Sequence, residues 1–136
     1  MRGSQDEVKR KVLTECKTVA IVGLSDNPQR TSHRIGKYLK EAGYKIVPVN
    51  PNISEALGEK SYPDLASIPF GIDLVNVFRR QEEIDAVVEE TLKISPQAVW
   101  LQLGLICPGD KSRVKDAGAD LIEDCCIMVE HRRLIN

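Results

Sequence analysis

The residues best suited to chemistry in this sequence are a glycine and several polar side chains that follow short apolar stretches. The first such stretch, residues 18–23, ends in Gly23-Leu24-Ser25 and leads through a polar turn into a helical pattern. A strand, a glycine turn and a helix in succession leave backbone N–H groups and the positive helix end free to meet an anion. This turn is therefore predicted to form one wall of a nucleotide site.

Strands and helices alternate along the rest of the chain and would position this turn. Apolar, β-branched stretches predict strands at residues 18–23, 44–50, 72–78, 98–103 and 120–123. Helical spacing predicts helices at residues 5–16, 32–42, 81–93 and 110–117. The alternation is typical of an α/β, Rossmann-like three-layer fold, in which helices cover both faces of a five-stranded parallel sheet. With right-handed crossovers, we expect the strand order 3-2-1-4-5.

The remaining segments are read as connections and ends of one domain. In the long connection after the second strand, residues 52–58 and 61–69 are each expected to form one turn of helix. A chain of 136 residues suits a single domain, here residues 5–136. Residues 1–4 resemble the start of an expression vector.

Ligands of such sheets bind at the carboxyl ends of the strands, where the strand order reverses. The residues at the first four strand ends and at the start of the first crossover helix are therefore the predicted cofactor-binding residues. They are Gly23, Leu24, Ser25, Pro28, Arg30, Thr31, Ser32, Asn50, Pro51, Phe78, Arg79, Arg80, Gln102 and Gly104.

Several of these residue types suit a phosphate-bearing ligand. The guanidinium groups of Arg79 and Arg80 match phosphate oxygens in shape and charge. Thr31 or Ser32 is a natural N-cap, a role compatible with anion binding at the same helix end. The Asn50 amide has two open interpretations, because it could bind an adenine or ribose edge or could bond its own turn.

The glycine turn departs from the dinucleotide-binding fingerprint. Ser25 and Pro28 stand where the second and third glycines of that fingerprint belong. No acidic residue ends the second strand to bind a ribose 2′-hydroxyl. Both departures count against an NAD-dependent dehydrogenase.

Bulk composition narrows the class of partner. The chain has 19 lysines and arginines against 20 acidic residues, which argues against an extended nucleic-acid surface. No apolar run approaches the roughly 18–20 residues that cross a bilayer, and no signal peptide is visible. The four cysteines lack zinc-ligand spacing, which favours a reduced, cytoplasmic protein. Domains of this size often form dimers, so a homodimer is the expected macromolecular partner, if any.

No catalytic residue and no metal site are predicted. His33 has no obvious acidic partner, and His131, which follows Glu130 and could join a charged cluster, lies in the tail, where a structural role is favoured. Cys125 lies among apolar residues, and such surroundings raise the pKa of a thiol and make it inert.

Six short segments in order resemble the small CoA-binding protein family, single-domain relatives of the N-terminal domain of the succinyl-CoA synthetase alpha subunit. The resemblance covers nearly the whole chain from Lys17 onward. The matching segments are residues 22–32, 47–51, 58–65, 75–80, 100–104 and 123–131.

This resemblance implies that coenzyme A binds at the strand ends. The turn from Gly23 to Ser25 would approach the nucleotide, and Arg30 to Ser32 would face phosphate. Asn50-Pro51 would border the adenosine, and Phe78-Arg79 would lie along the diphosphate or the pantetheine arm. The phosphorylated histidine of succinyl-CoA synthetase lies in a second domain that has no counterpart in these residues, so the resemblance implies a ligand without implying a reaction.

Three hypotheses for the function follow. The leading one is a CoA or acyl-CoA binding module without catalysis of its own. The alternative is an oxidoreductase or acyl-transfer component that uses a nucleotide cofactor and Cys125 or His131. The third is a structural domain that pairs with itself and takes no ligand.

Overall fold

A computed structural model describes the backbone of residues 2–135 and the side chains of residues 5–135. The expectation of a vector-derived start concerns residues 1–4, whose side chains lie outside this range. The helices are α1 (Arg2–Glu15), α2 (Thr31–Glu41), α3 (Ile84–Lys93), α4 (Ser112–Asp116) and α5 (Ile127–Leu134). The strands are β1 (Thr18–Val22), β2 (Lys45–Val49), β3 (Glu55–Ala56), β4 (Glu59–Lys60), β5 (Leu74–Val77), β6 (Ala98–Leu101) and β7 (Asp120–Ile122). No helix in the described range is both long and apolar enough to cross a membrane.

Five parallel strands form the central sheet, in the order β2-β1-β5-β6-β7. The predicted α/β, Rossmann-like fold class is therefore confirmed. Each of the five predicted strands is present, shortened by one to three residues. The register aligns the strand ends, because Val22 pairs with both Val49 and Val77, and Val77 pairs with Leu101.

The predicted strand order, 3-2-1-4-5, is wrong. Counted along the chain, the order of the five parallel strands is 2-1-3-4-5, with the third strand beside the first. The chain from residue 51 to residue 71 crosses back over β1, a span of two strand spacings or about 10 Å. Leu65 and Ile72 anchor this connection on the sheet face that also carries α3 and α4. The order therefore reverses between β1 and β5.

Two apolar layers enclose the sheet. On one face Ile21, Trp100 and other strand residues pack against α1, α2 and α5. On the opposite face Val75 and its neighbours pack against α3 and α4. The β1–β2 crossover uses the first face and the later crossovers use the second, as right-handed connections running in opposite directions require.

Two local predictions have different outcomes. Residues 52–58 do not form a turn of helix but belong to a small hairpin of β3 and β4, in which Glu55 pairs with Lys60. Leu57 and Gly58 link the two strands with φ angles of 55° and 77°, the positive values that a tight hairpin turn needs. The turn predicted within residues 61–69 is confirmed as a 3₁₀ turn at Leu65–Ser67, which the Asp64 carboxylate caps by accepting from Ser67 N at 2.9 Å.

Two leucines test how far the core determines stability. Leu74 is fully buried, whereas Leu103 is 74 % exposed. We expect Leu74→Ala to lower the free energy of unfolding by about 2–5 kcal/mol, because it removes apolar contacts and leaves a cavity. The same substitution at Leu103 should change it by less than about 0.5 kcal/mol. Urea unfolding of both variants measures the difference, and equal effects would contradict this description of the core.

Candidate functional site

The strand ends form one edge of the sheet, which we call the rim: residues 23–25, 50–51, 78–80 and 102–104. Gly23 and Arg79 lie together there, since a Cβ built on Gly23 would be 3.5 Å from Cδ of Arg79. The glycine turn and the arginine predicted from the sequence therefore face the same space, although they are 56 positions apart in the chain.

Gly23 is required by the close approach of β1 and β5. Its φ is 88°, and a Cβ at this position would lie 2.0 Å from the carbonyl oxygen of Phe78. Its N–H donates to the carbonyl of Val49 at 2.9 Å. One glycine thus joins the ends of three strands, and no residue with a side chain fits there without moving backbone.

The turn after Gly23 is held by its own hydrogen bonds. Ser25 N donates to Ser32 Oγ at 3.0 Å, and Asn27 N donates to Ser25 Oγ at 3.0 Å. The Leu24 side chain is fully buried, so only its backbone can contribute to a ligand site. The turn is consequently pre-organised by bonds within residues 25–32.

The prediction that Thr31 or Ser32 caps α2 is wrong. Arg30 occupies the N-cap position, and the described residues supply no side-chain cap there. Ser32 lies inside the first helical turn, where its hydroxyl is needed by Ser25 N. The first N–H groups of α2 therefore have no side-chain cap among the described residues, and the neighbouring Arg30 and Thr31 are exposed, so this end suits an anion.

The two adjacent arginines differ in their surroundings. Arg79 is half-buried, and its guanidinium has no hydrogen-bond or ion-pair partner among residues 5–135. Arg80 is exposed and forms ion pairs with Glu82 at 3.9 Å and Glu83 at 3.6 Å. Arg79 is thus the cation that remains available at the rim.

The Asn50 amide is used inside the protein. Its Nδ2 donates to Leu24 O at 3.0 Å, and its Oδ1 accepts from Asn52 N at 2.9 Å. The interpretation that Asn50 bonds its own turn is therefore observed, with an added bond to the glycine turn. Exposed Pro51 follows it at the rim, as Pro28 lies exposed within the glycine turn.

Gln102 and Gly104 shape the rim while their polar groups are occupied. Gln102 is 5 % exposed; its Nε2 donates to Asn76 Oδ1, and its Oε1 accepts from Ile127 N at 3.3 Å. Gly104 has a φ of 87°, and its N–H donates to Asp124 Oδ1 at 2.7 Å. Sequence reasoning missed Asp124 as a rim-supporting residue, because a carboxylate acting across 20 positions leaves no local pattern.

An open cleft of about 530 Å³ lies along the rim, bounded by residues of the segments that follow β5 and β6. Phe78, Arg79 and Arg80 form one side, and Gln102, Leu103 and Leu105 form the other. Sequence reasoning did not select Leu103 and Leu105, since apolar residues next to a strand are read as core. Together with the uncapped end of α2, this cleft can hold a long ligand with a phosphate group at one end.

The other titratable candidates, Cys125 and His131, do not line this cleft. Burial raises the pKa of the Cys125 thiol to about 11, as its apolar surroundings predicted. His131 is buried, its Nδ1 is 2.8 Å from Tyr38 Oη, and desolvation lowers its pKa. Its ring also contacts Tyr44, which lies at the opposite edge of the sheet from the rim. Within the described chain, no group of histidine, cysteine and acidic residues is placed to hold a metal ion.

Comparison with known proteins agrees with this geometry. The family model of the CoA binding domain matches residues 17–132. The chain belongs to this CoA-binding family. It is 45 % identical over 128 residues to the uncharacterized protein YneT of Bacillus subtilis, with 94 % of each chain covered. It is also 32 % identical over 80 residues to an ADP-forming acetate–CoA ligase of Methanocaldococcus jannaschii, covering 59 % of this chain and 11 % of the ligase.

Solved structures share the fold over nearly the whole chain. A hypothetical protein from Pyrococcus horikoshii OT3 has a TM-score of 0.90 and 36 % identity, covering 96 % of this chain and 92 % of that one. A protein from Thermus thermophilus has a TM-score of 0.89 and 36 % identity, covering 96 % and 98 %. The α/β sheet and its helices are therefore an architecture that this chain shares with both solved structures.

Two glycines with nearly the same backbone conformation test the contact between β1 and β5. Gly118 has a φ of 85°, and a Cβ added there would meet no other described atom within 4 Å. Gly118→Ala should therefore lower the free energy of unfolding by only about 1–2 kcal/mol, the cost of a left-handed backbone conformation for a residue with a Cβ. Gly23→Ala should lose about 1–3 kcal/mol more, because its Cβ overlaps a carbonyl oxygen. Thermal unfolding compares them, and equal losses would show that the close approach is absent in solution.

Proposed function

We propose that this protein binds coenzyme A or an acyl-CoA at the rim and catalyses no reaction of its own. The observation that carries the proposal is the convergence of three anion-binding features in one place. These are the backbone turn at Gly23, the uncapped N-terminus of α2, and Arg79 with its guanidinium unpaired among the described residues. CoA carries a diphosphate and a 3′-phosphate, and each of these features is suited to phosphate oxygens.

In this proposal the ligand follows the strand ends in order. The diphosphate lies at the glycine turn and the start of α2, near Arg79. The adenosine borders Asn50-Pro51, whose backbone is fixed by the bonds of the Asn50 amide. The pantetheine arm, which carries no charge, leaves along Phe78 and crosses toward Leu103 through the cleft of about 530 Å³. The cationic end of the site thus meets the anionic end of the ligand.

Catalysis by Cys125 or His131 has less physical support. A thiol whose pKa is about 11 is almost entirely protonated at neutral pH, and the thiolate is the nucleophile. His131 is buried, its ring contacts Tyr38 and Tyr44, and its Nδ1 is 2.8 Å from Tyr38 Oη. A passive binding role needs neither group.

Titration calorimetry with CoA, 3′-dephospho-CoA and NAD tests the choice of ligand. We expect heat of binding with CoA, weaker binding without the 3′-phosphate, and the weakest binding with NAD. NAD lacks the 3′-phosphate and the pantetheine arm, and the strand-two end offers Asn50 instead of a carboxylate. Binding of NAD without binding of CoA would refute the proposal.

The neighbouring arginines provide a matched pair of variants. Arg79→Ala should weaken CoA binding by about 1–3 kcal/mol, or roughly fivefold to 150-fold, if its guanidinium pairs with phosphate. Arg80→Ala should weaken it by less than about threefold, since Arg80 is exposed and already paired with Glu82 and Glu83. Calorimetry on both variants decides. A larger loss at Arg80 would place the phosphate elsewhere on the rim.

A further inference from the structure

A second cavity, of about 720 Å³, lies beyond the rim between α1, β7 and α5. Its volume is within the range of small-molecule sites. Leu103, Ile106 and Val129 contribute apolar side chains to its wall, and these are 74 %, 41 % and 52 % exposed. Three exposed aliphatic residues around one concavity leave apolar surface that a ligand can cover.

This cavity adjoins the rim cleft, because one residue lines both spaces. That residue is Leu103. It lines the cleft together with Phe78 and Arg79, and it lines the cavity together with residues of α5. The distance from the end of β5 to the end of β7 is two strand spacings, about 10 Å. A flexible arm that leaves the phosphate site along Phe78 and passes Leu103 therefore enters the cavity.

We propose that this cavity receives the thioester end of an acyl-CoA and selects uncharged acyl groups. The inference rests on the proposed CoA site, because the phosphate end of the ligand must lie at the rim for its other end to reach the cavity. The acyl chain covers Leu103, Ile106 and Val129, which water otherwise contacts. The ligand class is thus an acyl-CoA thioester, held more tightly than CoA itself.

The charges around the cavity provide the selectivity. Glu123, Asp124 and Glu130 line it, against the single lining cation Lys9. The Lys9 ammonium is already paired with Glu130 at 2.7 Å, and Glu123 is paired with Lys111 at 2.9 Å, which leaves the Asp124 carboxylate without an ion-pair partner among the described residues. A terminal carboxylate on the acyl group would meet Asp124 and no unpaired cation, and like charges repel in a partly enclosed site. Acyl groups that end in a carboxylate are therefore disfavoured.

Four thioesters and CoA form the test, measured by titration calorimetry on the full chain. Butyryl-CoA should bind about tenfold more tightly than acetyl-CoA, because two more methylenes leave water. Hexanoyl-CoA should bind more tightly than butyryl-CoA for the same reason. Succinyl-CoA has the same number of acyl carbons as butyryl-CoA but ends in a carboxylate, and it should bind at least about tenfold more weakly than butyryl-CoA.

Variants at Val129 locate the acyl group. Val129→Asp adds a carboxylate to the cavity wall and should bring the ratio of the acetyl-CoA and butyryl-CoA dissociation constants close to one. Val129→Asn introduces a side chain of nearly the same size as aspartate but without the charge, and it should preserve part of the preference for butyryl-CoA over acetyl-CoA. As a second readout, hexanoyl-CoA should slow alkylation of Cys126, which lines the cavity, more than acetyl-CoA does. Both probes are thioesters, so neither offers a free thiol to the reagent.

The possible failures are distinguishable. If CoA binds but acetyl-, butyryl- and succinyl-CoA bind equally, the acyl cavity is refuted and the rim site stands. If a chain-length preference persists unchanged in Val129→Asp, the acyl group lies elsewhere and this inference is overturned. If neither CoA nor any thioester binds, the proposed function itself fails.

Discussion

The contact between Gly23 and the carbonyl of Phe78 is the constraint on which the site depends. It brings the ends of β1 and β5 so close that no Cβ fits between them. Because the two strands are neighbours, the glycine turn, the start of α2 and Arg79 share one space. Were β6 beside β1, as the sequence suggested, Gln102 would adjoin the turn and the rim would lose its cation.

Polar groups at the rim divide into those that build it and those that remain available. Ser32 and Asp124 accept hydrogen bonds from backbone N–H groups of neighbouring segments, and Asn50 donates one to the carbonyl of Leu24. Each such bond fixes a turn before any ligand arrives, which lowers the conformational entropy lost on binding. The Arg79 guanidinium and the first N–H groups of α2 lack such partners among the described residues, so they retain their capacity for an anion.

Ion pairs join α5 to α1. Lys9 pairs with Glu130 at 2.7 Å, and Arg133 bridges Glu130 at 2.9 Å and Asp6 at 2.6 Å. Arg133 and Lys9 hold the pKa of the Glu130 carboxyl below its ordinary value despite desolvation. This network fastens α5 to α1. The two helices are the outer walls of the cavity beyond Leu103, so the network also fixes that cavity's shape.

The sequence by itself determined the alternation of strands and helices, the glycine turn and the alignment of strand ends at one edge. These follow from local periodicity and from the general property that parallel strands end together. It did not determine which strand lies beside β1, because that depends on how residues 51–71 pack, through Leu65 and Ile72, across the sheet. Nor could it show that the Gln102 side chain forms hydrogen bonds with Asn76 and Ile127, partners about 25 positions away. Only the tertiary structure decides such pairings, since a hydrogen bond between distant segments leaves no trace in the spacing of neighbouring residues.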